Sequence, residues 1–312
     1  MNISRRSFLK YCGTASAALG LNAMDLLRLE NVLADPKGPT VLWLQGCGCT
    51  GCSISFLNRV SASAPATAAD LLINSISLAY HPNLMSCAGD SAVDLIKDAR
   101  AAGKYILAVE GGVPAAFNGF ACTAWTDSMG EVTFQQAIKE LAARASSILC
   151  IGTCASWGGI PAAPPNPAMI KSVKAATGKS TINIAGCPPH PDWIVWTMAQ
   201  LLLGKRITLD KFGRPRTLYK KTVHERCPRE DNDEAQTYGV DKLCLEELGC
   251  RGHDARCNAP RDLWNNRSGW CCDANALCLG CTEPAFPGAG AFHKMGEGSE
   301  EDEESFFHDD DD

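Results

Sequence analysis

Beyond its first 34 residues the 312-residue chain has no apolar run approaching the roughly 20 residues that a membrane-spanning helix requires, so no such span is expected there. It also lacks a basic excess. The formal net charge is −6, which gives no electrostatic footprint for nucleic acid. Residues 297–312 hold ten acidic residues and no Lys or Arg, the composition of a solvated, disordered tail. From Lys205 to Phe292 hydrophobic periodicity is scarce, while Gly, Pro, Asn and charged residues are frequent. Such a stretch cannot owe its order mainly to an apolar core, and metal binding is the alternative source of folding free energy.

What the chain does have is cysteine, 17 in all. Most fall into three groups with the spacing of iron–sulfur ligands. The first is Cys49-Thr-Gly-Cys52 with Cys122 and Cys154, the second His224-x-x-Cys227 with Cys244 and Cys250, and the third Cys257, Cys271 and Cys278-x-x-Cys281. Three sets of four ligands leave room for three clusters. A disulfide framework is the competing reading, but it belongs to small domains that cannot build a core, and this chain can bury a large one. Structural zinc usually draws its four ligands from nearby turns, whereas the first set here extends from residue 49 to residue 154.

The N-terminus bears on where such clusters work. Ser4-Arg5-Arg6-Ser7-Phe8-Leu9-Lys10 is a twin-arginine export motif, followed by an uncharged stretch from Tyr11 to Met24 and a cleavage candidate at Val32-Leu33-Ala34. That route carries folded proteins, so metal is inserted before export to the periplasm. Residues 1–34 are therefore read as a signal peptide.

From Pro39 onward, short apolar runs alternate with amphipathic stretches, the pattern of a doubly wound parallel α/β sheet of the flavodoxin-like kind. The expected strands are Thr40–Gln45, Leu71–Ala79, Lys104–Glu110, Ser147–Gly152 and Thr181–Ala185, and the expected helices Ser91–Ala102, Thr133–Ala145 and Asp192–Leu203. Cys49, Cys52, Cys122 and Cys154 each follow a strand, and in such sheets ligands collect beyond the carboxyl ends of the strands. Residues 35–204 are expected to form this domain, residues 205–292 an irregular cluster-bearing domain with a short helix at Asp241–Leu248, and residues 293–312 the acidic tail. Trp264 and Trp270 suit either a shield over a cluster or an ordinary core.

Several motifs together resemble the small subunit of a nickel–iron hydrogenase. They are Leu44-Gln45-Gly46 before the first CxxC, Glu110-Gly111 before Cys122, Gly152-Thr153-Cys154, the run Gly186-Cys187-Pro188-Pro189-His190-Pro191-Asp192-Trp193, His224-x-x-Cys227 and Cys278-x-Gly280-Cys281. The resemblance extends from about Pro39 to Phe292. It implies an electron-transfer subunit for H2 ⇌ 2H+ + 2e−, with no catalytic residue of its own, beside a large subunit that carries the nickel–iron site. Cys49, Cys52, Cys122 and Cys154 would hold the proximal four-iron cluster, and His224, Cys227, Cys244 and Cys250 the distal one. Cys257, Cys271, Cys278 and Cys281 would hold the medial cluster. Where many relatives have a proline that leaves a three-iron medial cluster, this chain has Cys271, so four irons are expected. That substitution, Gly48 in place of a glutamate, and Tyr80-His81-Pro82 resemble the nickel–iron–selenium branch. The resemblance further implies an acceptor such as a periplasmic multihaem cytochrome c. Cys187 and His190 are expected to shape a turn near the proximal cluster, Cys150 to be core, and Cys272 to be an alternative to Cys271; Cys47 is read as a buried thiol rather than a spare ligand or redox partner, and Cys87 has no assigned role. A quinone-reductase subunit that shares the N-terminal domain, and a non-catalytic electron carrier, are the alternatives.

Overall fold

The computed structural model describes residues 39–61, 66–74 and 76–288. The twin-arginine motif, the cleavage candidate and the acidic tail lie outside the described residues.

The chain opens with strand β1 (Thr40–Gln45), helix α1 (Gly51–Leu57), helix α2 (Ala68–Asn74), β2 (Ser77–Tyr80), α3 (Asp90–Ala102) and β3 (Ile106–Glu110). A hairpin of β4 (Thr123–Asp127) and β5 (Gly130–Thr133) follows, then α4 (Phe134–Ala142), β6 (Ser147–Ile151), α5 (Thr153–Trp157), α6 (Val173–Thr177), β7 (Ile182–Ile184) and α7 (Pro191–Leu202). Five strands form one sheet in the order β2-β1-β3-β6-β7. Every pairing in it is parallel. With the hairpin set aside this is the flavodoxin-like order, whose ligand crevice opens at the carboxyl ends of the strands.

Strand alternation divides the core into two layers. Val41, Trp43, Ile106, Ala108, Leu149 and Ile184 face α7 through Trp193, Ile194 and Met198. Leu42, Leu44, Leu107, Val109 and Ile148 face Ile96, Ile138, Leu141 and Val173 on the other side. Each Val, Leu, Ile and Met side chain among these, fully removed from water, stabilises by roughly 1.5–3 kcal/mol. Cys150 lies in the second layer with no exposure, as expected of a core thiol.

Two expectations are corrected here. The run Leu71–Ala79 is not one strand; its first half is the end of α2. Thr67 and Asp70 cap that helix reciprocally, Thr67 N–H donating to Asp70 Oδ2 at 3.0 Å and Asp70 N–H to Thr67 Oγ1 at 3.2 Å. Helix Asp241–Leu248 shrinks to a single 3-10 turn at Glu246–Leu248, with Lys242 at φ 68° interrupting what precedes it.

From Lys205 to Gly288 the described chain is mostly turns, with two short helices, α8 (Ala259–Asp262) and α9 (Trp264–Arg267). Its small apolar centre is Val223, Ala255, Ala259, Trp270 and Cys272, against which Cys227, Cys250, Cys257 and Cys278 pack. Trp270 therefore both fills this centre and covers candidate ligands. Arg214, 1 % exposed, fastens the segment by donating to Asp210 Oδ2, Glu283 Oε1 and the Thr282 carbonyl.

Candidate metal centres

The first centre sits at the carboxyl edge of the sheet. Cys49 and Cys52 flank the start of α1, directly after β1, and Gly51 N–H donates to Cys49 Sγ at 3.4 Å. The Glu110 carboxylate, from the end of β3, fixes this entrance. It accepts from Cys52 N–H (3.0 Å), Ser53 N–H (3.2 Å), Ser53 Oγ–H (2.5 Å) and Trp43 Nε1–H (3.1 Å), and it is 2 % exposed. Behind it His81 Nδ1 accepts from Asn83 N–H at 3.1 Å, so the neutral ring carries its proton on Nε2 and donates to Ser53 Oγ at 3.2 Å. Burial pushes His81 down to about 4 and keeps that ring neutral.

Cys154 enters at the start of α5 after β6, and Cys187 lies in the turn after β7. Glycine clears room between the sulfurs. A Cβ at Gly152 would lie 2.4 Å from Cys52 Sγ, and one at Gly159 3.0 Å from Cys154 Sγ. Burial, then the charge of Glu110 and of the neighbouring thiols Cys154, Cys187 and Cys49, pushes Cys52 well up. Burial with Cys187 and Cys49 pushes Cys154 up to about 12, and burial with Cys49 raises Cys187. Three desolvated sulfurs, with the exposed Cys49 beside them, are compatible only with protons or with a cationic core, and the soft donor set suits iron–sulfur.

Cys122 is not in this group, contrary to expectation. It packs against the second core layer, on the opposite side of the sheet from Cys52. Burial and, among the thiols, Cys47 raise it. The reason is the long excursion after β3. A 3-10 turn at Ala116–Gly119 leads Cys122 onto the hairpin, where its carbonyl accepts from Phe134 N–H at 2.8 Å. Cys187 takes the fourth place, and its position directly after the last strand was the signal for it. His190 stays out of the thiol group as expected. It caps α7, with Nδ1 accepting from Asp192 N–H at 3.1 Å and Nε2 donating to the Leu263 carbonyl at 2.7 Å.

The second centre gathers Cys257, Cys271, Cys278 and Cys281, all four of the set expected. Burial, followed by the other three sulfurs, pushes Cys257 well up. Cys281 is raised to about 12 chiefly by burial, with Cys271 and Cys187 adding to it. Burial also raises Cys278 and Cys271. The Cys187 backbone N–H faces Cys281 closely enough to offset part of the rise of that thiol, which places the first centre next to the second. Thr153 Oγ1–H adds a bond to the Cys281 carbonyl.

The third centre gathers Cys227, Cys244 and Cys250. Cys278 N–H donates to Cys250 Sγ at 3.4 Å and Arg251 N–H to the Cys278 carbonyl at 2.8 Å, which ties it to the second. Cys272, 3 % exposed, lies within hydrogen-bonding reach of both Cys227 and Cys250. That contact is the main reason why Cys227 falls to about 7 and Cys250 to about 6. Burial raises Cys244. The His224 side chain starts beside Cys250, since a Cβ at Gly252 would lie 3.6 Å from Cys250 Sγ and 3.7 Å from His224 Cβ, and its ring makes a further contact. It stacks on His253 with centroids 3.6 Å apart, and His253 Nε2 lies 2.9 Å from Glu246 Oε2.

Comparison with known proteins agrees with this division. The family described as NADH ubiquinone oxidoreductase, 20 Kd subunit, matches residues 49–201, and the C-terminal family of the NiFe/NiFeSe hydrogenase small subunit matches residues 219–293. The second match separates the chain from a quinone-reductase subunit that has the N-terminal part alone. The periplasmic NiFeSe hydrogenase small subunit of Desulfomicrobium baculatum is 35% identical over 310 residues, covering 92% of this chain and 97% of that protein. The periplasmic NiFe hydrogenase small subunit of Solidesulfovibrio fructosivorans is 36% identical over 294 residues, covering 91% and 90%. The solved recombinant NiFeSe hydrogenase from Desulfovibrio Vulgaris Hildenborough aligns with a TM-score of 0.75 at 35% identity, over 82% of this chain and 96% of that one. By fold, motif order and similarity along nearly its whole length, the chain belongs to the NiFe/NiFeSe hydrogenase small subunits.

Proposed function

We propose that this chain conducts electrons through three four-iron clusters, between a nickel–iron site on a large subunit and an external acceptor. The observation that carries the reading is serial connection. Three thiol groups lie along one path, joined by Thr153 Oγ1–H, beside Cys154, to the Cys281 carbonyl and by Cys278 N–H to Cys250 Sγ. Each cluster, when bound, takes up and releases one electron at a time. Cys49, Cys52, Cys154 and Cys187 would hold the proximal cluster, with Glu110 fixing the CxxC entrance. Cys257, Cys271, Cys278 and Cys281 would hold the medial cluster, and Trp270 would keep water from it. Cys227, Cys244 and Cys250 would hold three corners of the distal one.

The partner large subunit follows from the relatives' being named small subunits of hydrogenases. Periplasmic location is supported by the names of those relatives and by the twin-arginine motif at Arg5-Arg6. No described helix is long and apolar enough to cross a membrane. A periplasmic multihaem cytochrome c fits as acceptor, and the acidic tail would steer a basic one at low salt.

The test is iron and acid-labile sulfide per heterodimer in Cys187→Ala and Cys122→Ala. Cys187→Ala should lose the proximal cluster's electron paramagnetic resonance signal, and Cys122→Ala should keep full iron. The reverse pattern would overturn the proximal assignment, and wild-type protein without iron would overturn the whole reading.

A further inference from the structure

The histidine of the His224-x-x-Cys227 motif is held on two sides. Its backbone belongs to an antiparallel approach of residues 222–224 to residues 252–256. There Thr222 pairs with Arg256, Val223 N–H donates to the Ala255 carbonyl at 2.7 Å, and His224 N–H to the Gly252 carbonyl at 2.8 Å. This approach sets the start of the His224 side chain beside Cys250. Its ring then meets His253, one residue past Gly252, in a stack with centroids 3.6 Å apart and planes 25° from parallel. His253 is itself tied down, because its Nε2 lies 2.9 Å from Glu246 Oε2. Glu246 sits in the loop between Cys244 and Cys250, so the clamp closes on the segment that carries two of the distal thiols. The His253 and Glu246 side chains are 48% and 44% exposed, whereas His224 is half-buried, which puts His253 on the solvent side of His224.

We infer that His253, fixed by Glu246, is a positioning residue for the electron exit: its ring holds the plane of the His224 imidazole at the distal site and is the outermost conjugated group that an electron acceptor meets. The inference rests on the cluster reading given above, with His224 as the fourth distal donor that the motif implies.

Three arguments support it. An exposed histidine–carboxylate pair adds little to folding, so the effect of this one lies in what it orients. A nitrogen of each histidine and an oxygen of Glu246 lie within 4.8 Å of one another, so the orienting groups converge on His224 itself. Groups behind a metal ligand fix its attitude and tune the metal, and a stack fixes the plane of a ring, which a single hydrogen bond to one nitrogen leaves free to turn. Finally, electron transfer weakens steeply as the gap between two groups widens, and ring contact at 3.6 Å leaves no room for water between the histidines. In the exit step one electron passes from the reduced distal site to one haem iron(III) of the acceptor, which becomes iron(II), and no proton moves.

The experiment uses the purified heterodimer as wild type, His253→Ala and His253→Phe, each labelled with 15N-histidine. Iron content, the histidine-nitrogen coupling of the reduced distal cluster by pulsed electron paramagnetic resonance, and kcat and KM for H2 oxidation with a lysine-rich c-type cytochrome are measured. Iron should stay at the wild-type level in both variants. In His253→Ala the nitrogen coupling should change and kcat with the cytochrome should fall about 10-fold while KM holds. His253→Phe keeps a ring face over His224 and should restore both. A coupling and kcat in His253→Ala equal to wild type would overturn the inference. So would a change in KM alone, the mark of a docking contact, a loss of iron, the mark of a structural role, or a His253→Phe that behaves like His253→Ala. Wild type without iron, or without any histidine-nitrogen coupling, would instead refute the cluster reading on which the inference rests.

Discussion

Glu110→Gln keeps the shape of the side chain at the CxxC entrance and replaces one carboxylate oxygen by an NH2 group. In the native chain Oε1 accepts from Cys52 N–H and Ser53 N–H, while Oε2 accepts from Trp43 Nε1–H and Ser53 Oγ–H. A glutamine whose oxygen faces the two backbone donors must point its own N–H bonds at Trp43 and Ser53. The Ser53 hydroxyl can rotate and accept; the indole cannot, so Trp43 Nε1–H, 1 % exposed as a residue, is left without an acceptor. An orphaned buried donor costs roughly 1–3 kcal/mol, and the bonds that survive lose their charge assistance at about 0.5–1 kcal/mol each. The sum is about 2–5 kcal/mol, or a fall of roughly 5–15 °C in Tm. Wild type and variant, matched for iron content, would be compared by thermal scans at one rate. Tm values agreeing within about 2 °C would refute the argument, because surface-like substitutions alone shift stability that little. Early loss of the proximal cluster signal on heating should accompany the fall, since the same carboxylate orients both ends of the CxxC turn.

Other outcomes follow from the same geometry. His81 is held neutral down to about pH 4 in the folded chain and protonates near 6.5 when unfolded, so the unfolded state binds the extra proton across that window. Stability should therefore fall by up to about 3 kcal/mol as pH drops from 6.5 to 4, and His81→Gln should flatten that part of a urea-midpoint profile; an unchanged slope would count against it. Gly152→Ala places a Cβ 2.4 Å from Cys52 Sγ, against an ordinary contact of roughly 3.5–4.0 Å, at a backbone φ of 90°. It should deplete the proximal cluster by iron analysis while Gly178→Ala, whose Cβ meets nothing within 4 Å, leaves iron intact. Cys271→Pro should convert the medial cluster to a three-iron form, visible as a new resonance in oxidised protein; persistence of a four-iron medial cluster would point to a different fourth ligand.

How much of this could be read from sequence depended on whether the deciding contact was local. β1 is found at Thr40–Gln45 as expected because an unbroken apolar run between polar residues has one reading as a buried parallel strand. Leu71–Ala79 misled because an apolar stretch of that length suits helix or strand, and the arbiter was the Thr67–Asp70 cap just upstream. The hairpin Thr123–Thr133 gave no strong pattern, since most of it is exposed. The gathering of Cys257, Cys271, Cys278 and Cys281 was legible because all four sulfurs come from one short segment. For the first centre the sequence reading names Cys49, Cys52 and Cys154, but Cys122 rather than Cys187 as the fourth. Both follow strands, and only the path of the chain after β3 sends one to the far layer. Likewise nothing local tells Cys271 from Cys272; the turn over residues 271–275 leaves Cys271 exposed and buries Cys272 in the small apolar centre.

The bonds that join the second and third centres, Cys278 N–H to Cys250 Sγ and Arg251 N–H to the Cys278 carbonyl, have main-chain donors. A side-chain exchange cannot delete a peptide amide; among the common amino acids only proline removes one. The spacing of the stations is thus written into the peptide skeleton, while the groups around each station remain free to drift. A lineage can change the ligands of one cluster, and with them its redox level, without re-engineering the route between clusters. Such insulation of path from potential would let relatives only about a third identical to this chain keep one wiring plan while tuning it to different electron acceptors.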